Sequence, residues 1–315
     1  MIGDVVGAVV EAETPEYISK RFATMEALLA TDSVEEFATS AWKVGRFTDD
    51  TQMSLSVARW LLEDPSRSPS QLLGEFSRSY EPCRRYGPGT EMILKLYRDH
   101  PQQWRELATA MFPHGSYGNG GAMRVAPIGL AFRGDLKKVA ETAKDSCRVT
   151  HSHPLALQGA AMQAMAVAIA TSITEVSVGG FVDPVRRMLN EFEDLLQDTS
   201  KFTTALDRIE AGLGLRETCL AMSTLLGTGI EAFEAVPMAM YCFLRHPDSF
   251  VDAVTAAVFI GGDTDTIASM TGAIAGAFHG CRSIPTAWLQ RVQEETYTVD
   301  YVGNLADQLF EAFAE

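Results

Sequence analysis

Two short acidic clusters carry the strongest chemical signal in this 315-residue sequence. Thr48-Asp49-Asp50-Thr51 stands directly before an amphipathic stretch, and Gly261-Gly262-Asp263-Thr264-Asp265-Thr266 opens another. Each cluster alone reads as a helix N-cap, because side-chain oxygens there accept orphan backbone N–H groups and acids favour the positive end of the helix dipole. A cap needs one oxygen, however, and each cluster stacks two carboxylates with hydroxyls. Brought together, four carboxylates would repel and raise one another's pKa values, a cost that divalent cations remove. The donors are all oxygen, with no cysteine and no histidine pair one turn apart. That set selects hard ions such as Mg2+, Mn2+ or Ca2+ over Zn2+. An EF-hand beginning at Asp263 fails, since its sixth position is Ala268 rather than glycine and its twelfth is Ile274 rather than glutamate. Carboxylates at two separate helix starts instead predict a catalytic or substrate-orienting metal pair.

A third feature is Gly115-Ser116-Tyr117-Gly118-Asn119-Gly120-Gly121-Ala122-Met123-Arg124. Glycines beside a helix start can aim backbone N–H groups at phosphate, although Asn-Gly is also a common turn dipeptide. The segment fits neither GxGxxG nor a Walker loop, so dinucleotide and P-loop binding are not supported. Gly227-Thr228-Gly229-Ile230-Glu231-Ala232 fits the loose GxGxxA form, but it follows a helical rather than a strand pattern. Tyr86-Gly87-Pro88-Gly89 is a shorter loop of the same kind. His151 and His153 flank Ser152 ahead of Pro154; His151 is a candidate ligand contact and His153 reads as structural. No GxSxG occurs, so a serine nucleophile is not supported.

These residues need elements to hold them, and the sequence predicts helices. Apolar residues recur at helical spacing over Asp50–Glu63, Leu72–Tyr80, Glu91–Tyr97, Trp104–Phe112, Leu136–Val149, Ala156–Ile173 and Val185–Leu196. The pattern continues over Arg216–Leu226, Val236–Leu244, Phe250–Ile260, Thr266–Phe278, Ala287–Gln293 and Leu305–Phe313. Gly, Pro, Ser, Asp and Asn punctuate the breaks. Val5–Val10 is the one β-looking run, and its glycine and alanine fit a tightly packed helix equally well. No repeat or linker stands out, and the most polar connection, Gln197–Lys201, is too short to divide domains. The expected architecture is all-α: one compact domain over residues 1–315, with a dozen or more helices.

Composition narrows the partners. With 41 acidic against 26 basic side chains the formal charge is −15, and no basic run offers itself to nucleic acid or an anionic membrane. The most apolar window, Ala160–Ile173, is interrupted by Gln163 and reads as a buried helix rather than a membrane span. The N-terminus lacks the pattern of a signal peptide. Five scattered cysteines without a CxxC suggest reduced thiols and a cytoplasmic location, and a monomer is expected.

The motifs together resemble the ADP-ribosylglycohydrolase family, founded on dinitrogenase reductase-activating glycohydrolase. They are Gly3-Asp4-Val5-Val6-Gly7 with Glu11, Phe47-Thr48-Asp49-Asp50-Thr51, Gly118-Asn119-Gly120-Gly121-Ala122-Met123-Arg124 and Gly261-Gly262-Asp263-Thr264-Asp265-Thr266-Ile267-Ala268. Gly115–Asn119 and Ala232–Pro237 are most similar to the vertebrate ADP-ribosyl-acceptor hydrolase 3 group, whose members remove ADP-ribose from serine and degrade poly(ADP-ribose). The resemblance implies an orthogonal helical bundle around two Mg2+ ions, with Mn2+ an alternative. It implies Thr48, Asp49, Asp50, Asp263, Asp265 and Thr266 as metal ligands and Glu11 as the catalytic carboxylate. It implies Gly87, Gly89, Gly115, Ser116, Tyr117, Gly118, Asn119 and His151 around ADP-ribose, with Phe112 against the adenine. ADP-ribose and ADP-ribosylated proteins are then the ligands. The competing readings are an arginine-specific hydrolase and a catalytically silent ADP-ribose binder. The chain departs from the family pattern over Pro15–Gly45 and in having few residues before Gly3-Asp4.

Overall fold

Alanine and leucine are the commonest apolar residues, and β-branched runs are scarce, so local propensity and pattern both favour helix. A computed structural model describes residues 1–31, 42–64, 66–191 and 199–314, and among these it contains eighteen α-helices and no strand. They are α1 (Ile2–Gly7), α2 (Pro15–Arg21), α3 (Met25–Leu29), α4 (Asp49–Glu63), α5 (Pro69–Ser79), α6 (Pro88–Asp99), α7 (Trp104–Leu107), α8 (Ala126–Ala131) and α9 (Leu136–Cys147). There follow α10 (Pro154–Ser172), α11 (Val178–Glu191), α12 (Ser200–Gly214), α13 (Cys219–Leu226), α14 (Ala232–Arg245), α15 (Phe250–Phe259), α16 (Thr264–His279), α17 (Thr286–Leu289) and α18 (Val299–Ala312). The all-α expectation holds. The predicted Val185–Leu196 helix begins earlier, at Val178, and runs through Pro184. Residues 192–196 of that prediction, 197–198 of the polar connection and 32–41 of the divergent segment lie outside the described residues.

The core is organised on α10, which packs against α8, α9, α14 and α16. Being surrounded, α10 is apolar on every side rather than amphipathic, as a central helix must be. It has the length and composition of a membrane span, yet 78% of its apolar window is buried inside the protein. Gln163 in its middle donates its amide N–H to the Met270 carbonyl at 3.1 Å.

The ambiguous Val5–Val10 run resolves as helix through Gly7. Gly3 and Gly7, one turn apart, press against α16, where a Cβ would collide with the Ala268 and Thr264 carbonyls. The bare glycine face lets two backbones touch, and that contact fixes where α1 delivers Asp4 and the turn that follows. Beyond α1, Ala12 takes φ +66° and donates its N–H to the Gly262 carbonyl at 2.8 Å, while Gly262 donates to Glu13 at 3.0 Å. Glu11 is thereby tied beside the start of α16.

Candidate active site

At the start of α4, Thr48 holds the cap position but makes no side-chain capping bond. Asp4 does the capping from another helix. Its carboxylate accepts from the Thr48 N–H at 3.0 and 3.2 Å, the Thr51 N–H at 3.0 Å, and the two threonine hydroxyls at 3.0 and 2.5 Å. The orphan N–H groups of α4 are thus satisfied from outside. Asp49 and Asp50 are released from capping, so the cap reading of this cluster gives way. Asp4 has no role assigned in the sequence reading; nothing local to a lone aspartate in an apolar run marks its partner.

The second cluster is aimed the same way. Gly261 and Gly262 take φ of +74° and +78°, turning the chain tightly into α16, and Asp263 makes no side-chain cap there. The Asp263 N–H donates to the Thr228 carbonyl at 2.8 Å, and the Thr264 hydroxyl to the Gly7 carbonyl at 2.8 Å. The two clusters meet at Asp50, whose Oδ2 accepts from the Thr266 hydroxyl at 3.3 Å and the Thr48 hydroxyl at 3.4 Å. The other Asp50 oxygen is buried with no protein partner. Glu11, Asp263 and Asp265 bring one carboxylate oxygen each within 4.8 Å of the others. Burial pushes Asp49, Asp50 and Asp265 well above the usual carboxylate range, with neighbouring acids adding to the shift, and pushes Asp263 up to about 6 against hydrogen bonds with Asp265 and Asn119. Crowded, partner-poor carboxylates with hydroxyls between them fit divalent cations, and Glu11 stands within reach of the ligand set that the resemblance implied.

Above the acids opens a cavity of about 900 Å³ including its mouth. Glu11, Asp49, Asp263, Asp265 and Thr266 line its acidic end; Gly87, Gly89, Phe112, Ser116, Gly118, Asn119 and His151 line the remainder. Thr48 and Asp50 lie behind this wall. Gly115 and Tyr117 are not in the lining: Gly115 takes φ +80° against His153, and Tyr117 lies half-exposed with its ring edge-on to His153 and tilted to Phe233. Asn119 donates to Asp263 at 2.5 Å, linking the glycine loop to the acids. Sequence reasoning missed Arg85 and Ile230, which also line the cavity. Ile230 was carried by the discounted GxGxxA segment, whose Ile230 carbonyl receives the Asn119 N–H at 2.9 Å.

His151 explains the loop glycines. Its Nδ1 is paired with the Thr150 hydroxyl at 2.8 Å, and burial with nearby Arg124 pushes its pKa down to about 3, so it stays neutral. A Cβ on Gly120 would stand 2.6 Å from the His151 ring, and one on Gly118 would stand 3.4 Å away. Gly120→Val is therefore expected to displace the ring and, if the cavity holds the ADP-ribose that the resemblance implies, to weaken it by roughly 1–3 kcal/mol, measured by calorimetric titration. Ser116→Ala is expected to cost less, about 1 kcal/mol. Wild-type affinity in the valine variant would make the loop structural only.

The strap leading into α4 is locked from a distance. Arg84 is fully buried and grips Glu294 through two bonds, 2.5 and 3.0 Å, while donating to the Phe47 carbonyl at 3.0 Å. Glu294 in turn accepts the Phe47 N–H at 3.1 Å, and the guanidinium stacks 3.9 Å above the Phe47 ring. Breaking such a buried pair from one side leaves a bare charge, so both partners hold Phe47, and thus Thr48, in place.

The raised acids have a consequence for the metal-free protein. Their folded pKa values exceed the unfolded ones near 4, so the folded state binds more protons. The stability they contribute is complete below about pH 4 and is lost as pH rises through about 6 for Asp263 and about 7 for Glu11. In a chelator the melting temperature is expected to fall by at least about 3 °C between pH 5.5 and 8, and added Mg2+ to reverse the fall. A chelated protein equally stable at both pH values would contradict this account.

The geometry has known counterparts. Residues 1–315 match the ADP-ribosylglycohydrolase family. ADP-ribosylhydrolase ARH3 of Mus musculus is 33% identical over 94% of this chain and 86% of its own length. The Homo sapiens ADP-ribosylhydrolase ARH3 is 36% identical over 79% of this chain and 76% of its own. Among solved structures, an ADP-ribosylglycohydrolase-related protein complex shares the fold with a TM-score of 0.60 at 23% identity, covering 98% of this chain and 93% of that one. A match of this extent, over a fold whose two acidic helix starts converge on one cavity, means that the chain belongs to the ADP-ribosylglycohydrolase family and is a glycosyl hydrolase.

Proposed function

We propose that this enzyme removes ADP-ribose from serine hydroxyls of modified proteins, uses Mg2+ to do so, and also cleaves poly(ADP-ribose). The observation that carries the reading is the joining of the Glu11–Asp263–Asp265 acids to the Ser116–Gly120 loop in one cavity. The relatives called ADP-ribosylhydrolase ARH3 support the substrate class. Gly115-Ser116-Tyr117 supports serine over arginine, because it resembles the loop of the serine-specific group. The site draws residues from Glu11 to Thr266, which supports one domain rather than two separable ones.

With a charge of −15 the protein cannot hold a diphosphate by bulk attraction. Local donors do it instead. Phe112, 46% exposed beside Gly89, offers an aromatic face to the adenine. The N–H groups that helix geometry leaves free in the first turn of α6 are the donors for the diphosphate, since in the glycine loop the Gly118 and Asn119 N–H groups already donate to the Ser116 hydroxyl at 3.2 Å and the Ile230 carbonyl at 2.9 Å. The distal ribose then reaches the acids. Divalent cations held by Thr48, Asp49, Asp50, Asp263, Asp265 and Thr266 would neutralise those acids and orient the ribose hydroxyls. In hydrolysis the anomeric carbon gains a bond to a water oxygen, which gives up a proton, and loses its bond to the serine oxygen, which takes up a proton, through an oxocarbenium-like transition state. Glu11 is the group of this chain that moves a proton.

The test is to incubate the enzyme with serine-linked and arginine-linked ADP-ribosyl peptides, each with Mg2+ and with chelator. Release from the serine peptide with Mg2+ alone is expected. Release only from the arginine peptide would transfer the enzyme to the arginine-specific branch. Tight ADP-ribose binding without release of either would make the protein a silent binder.

A further inference from the structure

Adjacent residues Arg84 and Arg85 do opposite jobs. Arg84 is spent in the Glu294 clamp, whereas Arg85 faces the cavity, and it is the sole arginine or lysine among the described residues that line it. Arg85 adopts φ +60°, a left-handed conformation that favours glycine and that a long side chain takes only at a cost. The guanidinium meets three groups there. Arg85 Nη1 donates to Glu11 Oε2 at 2.6 Å and to the Ala8 carbonyl at 3.0 Å, and the guanidinium lies 4.0 Å from the Trp42 ring centroid. Its side chain is 14% exposed and that of Glu11 32%, so the guanidinium is largely covered while the carboxylate keeps an open side.

We propose that Arg85 is a positioning residue for Glu11: it pins the carboxylate against the cavity wall and offsets one negative charge of the acidic site. The proposal rests on the reading of Glu11 as the proton-moving group. Two effects of removing Arg85 then run in opposite directions. Glu11 loses its fixed place, so turnover falls. The site becomes one charge more negative, so a divalent cation binds more tightly. A purely structural ion pair would do otherwise, since loosening the fold loosens the cation with it. Glycine is the informative replacement because it relieves the φ strain while deleting the guanidinium.

The experiment measures kcat, KM and Mn2+ affinity, the last by electron paramagnetic resonance titration of the full-length chain. Arg85→Gly is expected to lower kcat about tenfold, with KM changed less than about twofold. Its Mn2+ Kd is expected to fall about threefold or more. Arg85→Lys, which keeps the charge without the planar fork, should bind Mn2+ like wild type and recover part of kcat. In a Glu11→Gln background, Arg85→Gly should lower kcat no further, because the two act as one unit. Wild-type kcat and Mn2+ affinity in Arg85→Gly, beside a crippled Glu11→Gln, would overturn this proposal alone. So would weakened Mn2+ binding together with a lowered melting temperature. Full activity in Glu11→Gln would instead overturn the reading of Glu11 beneath it.

Discussion

Asp265→Asn is expected to cut turnover at least about 10²-fold while the helical circular dichroism stays that of wild type, with Asp263→Asn close behind. The loss should exceed the 10–100-fold typical of groups that only support a ligand, because these residues would hold the cation themselves. The fold should survive because the change is isosteric and removes a charge that the folded state bears at a cost. Burial and the neighbouring acids push Asp265 well above the usual carboxylate range. Asparagine retains the oxygen that accepts the Thr266 N–H at 2.8 Å, and at position 263 it retains an acceptor for Asn119. Melting in chelator should therefore stay equal or rise, whereas the stabilisation that Mg2+ gives the wild type should shrink or vanish. Activity settles the role: a fully active Asp265→Asn has no place at the centre, and an unfolded one makes the aspartate structural.

How far the sequence reaches depends on whether the relevant partner is local. The acid pairs at 49–50 and 263–265 were legible because two carboxylates beside hydroxyls exceed what a cap requires, an excess visible in four or five consecutive residues. Asp4 was not legible as their support, since it caps a helix whose N-cap residue, Thr48, lies 44 residues later, through side-chain geometry that no pattern encodes. The Arg84–Glu294 pair spans 210 residues and reads in sequence as two ordinary surface charges. Val5–Val10 stayed ambiguous for a different reason: a short apolar run suits strand or buried helix, and only the glycine face of α1 against the α16 backbone decides. The short helix α8, with Pro and Gly inside Ala-Pro-Ile-Gly-Leu-Ala, defies local propensity and forms by packing on α10. In α12, by contrast, Phe202, Ala205, Leu206 and Ile209 keep helical spacing, so that helix is legible in the sequence.

Glu11→Gln is the other large effect, and it separates acid–base chemistry from ligation. The turn that carries Glu11 is bonded to Gly262, so the fold, not chance proximity, sets it among Asp263 and Asp265. Burial first and the Asp265 charge second push its pKa up to about 7, against the pull of Arg85. A group balanced near neutrality gives and takes a proton at similar cost, which is what general acid–base catalysis asks. Glutamine keeps the size and an oxygen for Arg85 but cannot exchange the proton. The expected result is a kcat at least about 10²-fold lower, with ADP-ribose affinity within about threefold of wild type. The pH profile adds a second readout. If Glu11 acts as a base, wild-type kcat rises as pH passes its pKa; if it acts as an acid, kcat falls there; glutamine should erase that limb in either case. Bound cations favour the ionised form and should move the limb below its position in their absence. Joint loss of ADP-ribose and metal affinity would make Glu11 a ligand rather than the proton carrier. Full activity with the limb intact would move the proton transfer to another carboxylate at the acidic end of the cavity, with Asp49 the first to replace next, because it lines the cavity and leaves the capping to Asp4.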